Sequence, residues 1–282
     1  MNTEVYDSIR EPLSAVTAAT NVPNLELAII ELKSGNYDKA LVFAEELIKK
    51  DLNDTAGWAI KALSQGHMFD YGSKTSYLKS SLNSMKEFQS RSKVKDSDKQ
   101  TIEALFLMNL IDRTTQMIRG QLSQAVRKAR NAEVAMSNAR AAELGAALSV
   151  AGAVMSKSTV GTVVGVAGAA VGVGVSVGYE SKAYNLMEAA NGQYASAIAN
   201  MNVAIGLAQT LKRIVDKNEC SREVCIEGDS IIQNWLGCAL ELFIKIAANF
   251  QGELEATKTR LKQSDELISG SERIKILKSI RS

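Results

Sequence analysis

The sequence predicts an all-α protein in which repeat-like helical hairpins precede a bundle of long helices carrying one apolar, glycine-rich hairpin. Three observations predict it. Pro12 and Pro23 are the only prolines among 282 residues, so nothing beyond the first two dozen positions interrupts a continuous helix. Ala, Leu, Lys and Glu, which lose little on entering a helix, are abundant. Outside the glycine-rich stretch, apolar residues recur mostly at three- and four-residue steps, as one buried helix face demands.

Composition also narrows function. The 33 basic and 31 acidic residues nearly balance at +2, and no basic block is dense enough for a nucleic-acid footprint, so nucleic acid is not an expected partner. Glu4, Asp7 and Arg10 stand where a secretory leader would have a basic start and an apolar run. The expectation is a protein soluble in the producing cell without a cleaved signal peptide. The single histidine, His67, reads as a turn or packing residue, and there is no paired-cysteine metal signature, nucleophile elbow or Walker loop. Residues 172–177 lack the third glycine of a dinucleotide fingerprint. The prediction is therefore no enzyme, no cofactor and no metal. Of the three cysteines, Cys220 and Cys225 can either bridge in an oxidising compartment or remain free thiols, with Cys238 left over.

The chain divides into two regions, 1–90 and 100–282. In the first, Leu27, Ala28, Gly35, Tyr37, Ala40, Ala44 and Leu47 let two antiparallel helices meet closely, with Gly35 ending the first and Tyr37 packing at the turn. Their spacing resembles a tetratricopeptide repeat over 24–62, and Trp58 and Ala62 fall where the next repeat places its aromatic and small residues. Leu52 departs from the pattern, which usually has a helix-stopping proline there. The second unit fades: Phe69, Asp70 and Tyr71 resemble its turn, but Lys74 takes a small-residue position. The resemblance implies two helical hairpins over 24–90 that need support from the rest of the chain. It makes Tyr37 and Trp58 candidates for binding a protein partner.

Residues 90–99 are polar and predict an exposed loop, with Asp96 or Ser97 capping the next helix. From 101 to 142, Ile102, Leu105, Phe106, Leu110, Ile111, Ile118 and Leu122 mark one face of a long helix. That face then narrows to Ala132, Ala135, Met136, Ala139 and Ala142. After 179, Tyr184, Met187, Ala190, Tyr194, Ala197, Met201, Ala204, Ile205, Ala208 and Leu211 mark a second long helix, and the two small-residue faces can pair as an antiparallel hairpin. Residues 217–228 make the connection at the other end. An apolar helix over 231–250 comes next, running on in polar form to about 268. Residues 271–282 mix Ile274, Leu277 and Ile280 with Arg273, Lys275, Lys278 and Arg281, a basic amphipathic end that can rest on an anionic membrane or simply end a solvated helix.

The tip, 144–179, is the unusual stretch: its only charge is Lys157. Gly161, Gly165, Gly168, Gly172 and Gly178 allow backbones to approach closely, as in the glycine-zipper packing of membrane helices. A break is expected at 156–159. Beyond it the longer arm could span a bilayer, although its eight valines contribute only on the order of −2 to −5 kcal/mol on an insertion scale. Val171, Val173, Val175 and Val177 alternate with Gly172, Gly174, Ser176 and Gly178, which also permits a short β-tongue. Either conformation needs cover in water, while Glu143 and Lys157 mark its charged boundaries.

The layout of long helices around one glycine- and valine-rich apolar hairpin resembles the α-helical pore-forming toxins of the haemolysin E type, over about 100–268. That resemblance implies a conditional pore former or secreted effector, which inserts its tongue into a lipid membrane when the bundle rearranges and oligomerises. The repeat-like N-terminal region departs from that family's pattern. The alternative is a soluble tetratricopeptide-like adaptor that binds protein partners.

Overall fold

A computed structural model describes residues 3–69, 75–155 and 159–249; the side chains of 3, 75, 145–155, 159–175, 236 and 239–249 lie outside that description. The described part is 89% helical, with eight α-helices and no strand among the described residues. In order they are α1 (Arg10–Ser14), α2 (Val22–Lys33), α3 (Tyr37–Lys50), α4 (Thr55–Met68), α5 (Thr75–Arg91), α6 (Asp96–Met155), α7 (Thr159–Asp216) and α8 (Arg222–Asn249), with a 3-10 helix at Thr3–Ile9 and another at Ala19–Asn21.

Local chemistry explains the helix ends. Pro23 sits in the first turn of α2, where its missing N–H costs nothing. Gly35 takes a left-handed φ of 73°, and the Asn36 N–H reaches back to the Glu31 carbonyl at 2.9 Å, closing α2. Asp54 caps α4 by accepting from the Ala56 and Gly57 N–H groups at 3.0 and 3.2 Å. The polar loop is shorter than the sequence predicts, 92–95, because Arg91 pairs with Glu87 at 2.6 Å and holds the last turn of α5. The connection after α7 is also shorter, 217–221. Asn218, with φ of 51°, supplies the left-handed residue there, so Cys225 and Gly228 belong to α8.

The chain forms two compact units, Met1–Ile118 with Ala199–Ser282, and Arg119–Ile198. In the first, α2 packs on α3, α3 on α4 and α4 on α5. Helix α4 is central: Ala56, Gly57, Ala59, Ile60, Ala62, Leu63, Ser64, Gln65 and Gly66 are all buried. Its wall toward α6 includes Phe106 and Leu110 beside Gly66, and Asn109 Nδ2 donates to the Leu63 carbonyl at 3.2 Å. The 92–95 loop therefore lies inside this unit. The N-terminal 3-10 helix buries Val5, Tyr6 and Ile9, and Lys33 of α2 holds it through Asp7 at 2.6 Å and Glu4 at 2.8 Å. Helix α8 docks through buried Ile231, Ile232 and Trp235, with the Ser221 N–H on Thr101 Oγ1 at 2.9 Å.

The second unit comprises the later part of α6 and the first part of α7. Its buried residues are mostly small, Ala125, Ala129, Ala132, Ala135 and Ala139 from α6 and Ser176, Ala183, Ala190 and Ala197 from α7, with Leu122, Tyr194 and Ile198 the larger ones. Three expected packing residues are not inside: Met136, Tyr184 and Met187 are exposed. The alanine seam accounts for this, because a narrow interface accepts small side chains and turns larger neighbours to its edge. The possible β-tongue is not formed. Residues 159–216 are one helix, which satisfies its own backbone groups where a short hairpin would leave open edges. Of the expected break at 156–159, residues 156–158 with Lys157 lie outside the described residues and Thr159 opens α7; Asp70, Tyr71, Lys74 and the 250–282 end also lie outside them.

Candidate functional site

The candidate lipid-contacting residues all lie on the first turns of α7. Gly161, Gly165, Gly168 and Gly172 are spaced by four-, three- and four-residue steps and so share one helix face. Gly174 and Gly178 fall on another side. Gly178 is exposed, and a Cβ added to it would meet nothing within 4 Å, so it is not the close-approach glycine the sequence suggested. The stripe instead continues four residues beyond Gly172 at Ser176, which is buried, and then to Ala183. Ser176 Oγ donates to Glu143 Oε1 at 3.0 Å, tying α7 to α6 at the mouth of the apolar stretch. Sequence reasoning placed Glu143 there but missed Ser176; the four-residue step was the available signal.

On a helix the valine alternation becomes two four-residue pairs, Val171 with Val175 and Val173 with Val177. The side chains of 145–175, including Gly161, Gly165, Gly168, Gly172, Gly174, Val171, Val173 and Val175, lie outside the described residues. Val177 is described and is 58% exposed; nearby Leu144 is 65%, Val134 60% and Tyr184 74% exposed. Among the described residues no helix is long and apolar enough to cross a membrane.

The two candidate partner-binding residues do not form one patch. Trp58, in the first turn of α4, donates its indole N–H to the Leu52 carbonyl at 3.0 Å and so closes the α3–α4 turn. Tyr37 stacks on His67, in the last turn of α4, with ring centroids 4.2 Å apart and planes at 11°. Nine helical steps of α4 separate the two anchors, about 13 Å along the axis.

His67 belongs to a polar cluster that the sequence left unsuspected. Tyr6, fully buried, donates its hydroxyl to Asn109 Oδ1 at 2.9 Å, and His67 Nε2 lies 3.2 Å from the same hydroxyl. Burial raises the Tyr6 phenol well above its ordinary range, helped by the charges on Tyr37 and Asp112 when these ionise; Tyr37 is raised for the same main reason. Burial also pushes His67 down to about 4 from an ordinary 6.5, with Arg113 adding repulsion. The ring is neutral at pH 7 and serves as a packing and hydrogen-bonding group. Among the described residues no three His, Cys, Asp or Glu side chains gather in a way that could hold a metal ion.

This cluster sets an expected pH dependence. Because the folded state holds His67 below its unfolded value, its stabilising balance is complete above pH 6.5 and is lost as pH falls toward 4. At pH 4.5 wild type should lose about 2 kcal/mol more, relative to pH 7, than His67→Gln loses. Denaturant midpoints of both proteins at both pH values check this, the variant cancelling the carboxylate contribution.

Compared with family models, curated proteins and solved structures, the chain matches none.

Proposed function

We propose that this is a non-enzymatic, membrane-acting helical protein whose hairpin 144–179 is the lipid-contacting element, a conditional pore former acting in or outside the producing cell. One observation carries the reading: Val134, Leu144, Val177 and Tyr184 stand exposed on a unit whose seam is mostly alanine and serine. Two helices packed through so narrow a seam have no interior for these side chains. Lipid or further copies of the hairpin would provide one. The glycine-diluted arm of α7 is too weakly apolar for a constitutive anchor, which favours insertion on a trigger.

A second reading, a tetratricopeptide-like adaptor, draws on Leu27 and Ile30 of α2 and Val42 of α3, which are exposed. Against it, α4 is enclosed nearly all round by this chain's own helices, so its hairpins offer no open groove on that helix.

Dye release from anionic liposomes, with flotation to score binding, tests the first reading. Leakage should occur on addition of the full chain under at least one triggering condition, acid or a lipid-composition change. Gly168→Asp should cut it at least tenfold, since a carboxylate at mid-helix costs roughly 2.5–3.5 kcal/mol on insertion. Its helical circular dichroism should stay unchanged. Absence of both leakage and lipid binding under every condition would sink the proposal. A pull-down lost in Tyr37→Ala or Trp58→Ala, with folding retained, would favour the adaptor.

A further inference from the structure

The turn between α7 and α8 brings two sulfurs face to face. Cys220 precedes α8 and Cys225 lies in its first turns, and their Sγ atoms are 2.6 Å apart. Both residues are half-buried, and an open cleft edged by Asn218, Arg222 and Asp229 reaches them from solvent. The backbone beneath is held in place. The Cys225 N–H donates to the Ser221 carbonyl at 2.9 Å, the Glu219 N–H to the Ile214 carbonyl at 3.2 Å, and the Ser221 N–H to Thr101 Oγ1. Cys238, the third cysteine, is buried elsewhere on α8, with its thiol donating to the Thr115 carbonyl at 3.7 Å.

We propose that Cys220 and Cys225 form a reversible thiol modification site, closed to an intramolecular disulfide by exchange with a low-molecular-weight disulfide of the glutathione class. The site is independent of the membrane reading. Its two features are a sulfur pair already juxtaposed and a cleft that admits a small reagent, while the remaining thiol is walled off.

The exchange balances without any further reagent. Cys225 loses its proton and its thiolate attacks one sulfur of the small disulfide; that S–S bond breaks and the first small thiolate leaves, taking up a proton. Cys220 then loses its proton and attacks Cys225 Sγ, releasing the second small thiol. The protein gives up two electrons and two protons, and the small disulfide becomes two thiols. Burial, then the hydrogen bond and charge of Cys225, push the Cys220 thiol up to about 12. The part due to Cys225 vanishes once that sulfur is held in the mixed disulfide, which readies Cys220 for the second attack. Closing the ring ties the residue before Ser221 to the first turns of α8.

Incubating the full-length chain with glutathione disulfide at pH 8, followed by acid quench and intact-mass measurement, tests the site. The expected product has lost two hydrogen atoms, and its thiols titrated in denaturant fall from three to one. Peptide mapping should place the bridge between Cys220 and Cys225, and reduced glutathione should restore the count. Cys238→Ser should lose two hydrogens in the same way, whereas Cys220→Ser should stop at one glutathione adduct. A stable double adduct, a bridge involving Cys238, or an unchanged thiol count would each overturn the proposal.

Discussion

Gly57→Val is expected to destabilise the protein by more than about 3 kcal/mol, read as a drop in the denaturant midpoint by circular dichroism. A Cβ placed on Gly57 would lie 2.8 Å from Ile48 Cγ1, 3.0 Å from the Ala44 carbonyl oxygen and 3.1 Å from Leu47 Cβ. Ile48 Cγ1 can move only by rotation about the stiff χ1 of a β-branched side chain, and the carbonyl and the Leu47 Cβ are fixed to the α3 backbone. A branched side chain must therefore push α3 from α4, and α4 is also packed against α5 and α6, so the strain has no free direction. Alanine should be milder, because its better helix propensity returns about 1 kcal/mol of an overpacking cost of about 1–3 kcal/mol. Gly120→Ala provides the contrast. Nothing lies within 4 Å of a Cβ on exposed, helical Gly120, so the same change should stabilise there by up to about 1 kcal/mol. Opposite signs for one substitution at two helical glycines would show that close approach decides the outcome. A stabilising Gly57→Ala would contradict the α3–α4 packing.

Trp235→Ala should cost about 4 kcal/mol, the second large effect. Trp235 is the largest fully buried side chain among the described residues, and it sits between Ile231, Ile232 and Cys238 on the buried face of α8. Removing the indole leaves a cavity that rigid helices on either side cannot fill. Phenylalanine should cost far less, about 1–2 kcal/mol, and not only because it refills most of the volume. The Trp235 Nε1 donor has no hydrogen-bond partner among the described residues, so the change to phenylalanine sacrifices none. Guanidinium unfolding of the three proteins reads the series directly. Equal losses in both variants would mean that the indole nitrogen is satisfied after all.

These sites show which parts of the molecule are legible from sequence. Apolar steps in 101–122 specify α6 because Ile111, Ile118 and Leu122, seven and four residues apart, share one face on a helix, and all three are buried. Such steps do not specify rotation once the face turns to alanine. Tyr184 and Met187 keep the period with Ala190 and Tyr194, yet the seam selects Ala183, because side-chain volume rather than hydropathy decides what fits between close backbones. Strand alternation at Val171–Val177 fails for a related reason: the same residues also satisfy four-residue steps, and the long helix on their C-terminal side propagates into them. Contacts far apart in the chain leave no local pattern at all. Tyr6 and Asn109 are separated by 103 positions, so neither residue announces the other. Cys220 and Cys225 were legible as a pair; that they face one another required the left-handed turn at Asn218.

The near-complete enclosure of α4 has a consequence for the order in which the chain is made. Its neighbours α3 and α5 leave the ribosome within a few dozen residues of it, but Phe106, Asn109 and Leu110 of α6 come later. Until α6 emerges, the side of α4 bearing Leu63 and Gly66 has nothing to face but solvent or a holding chaperone. The nascent chain thus passes through a window in which one side of its most central helix is uncovered, and the arrival of the first turns of α6 closes that window.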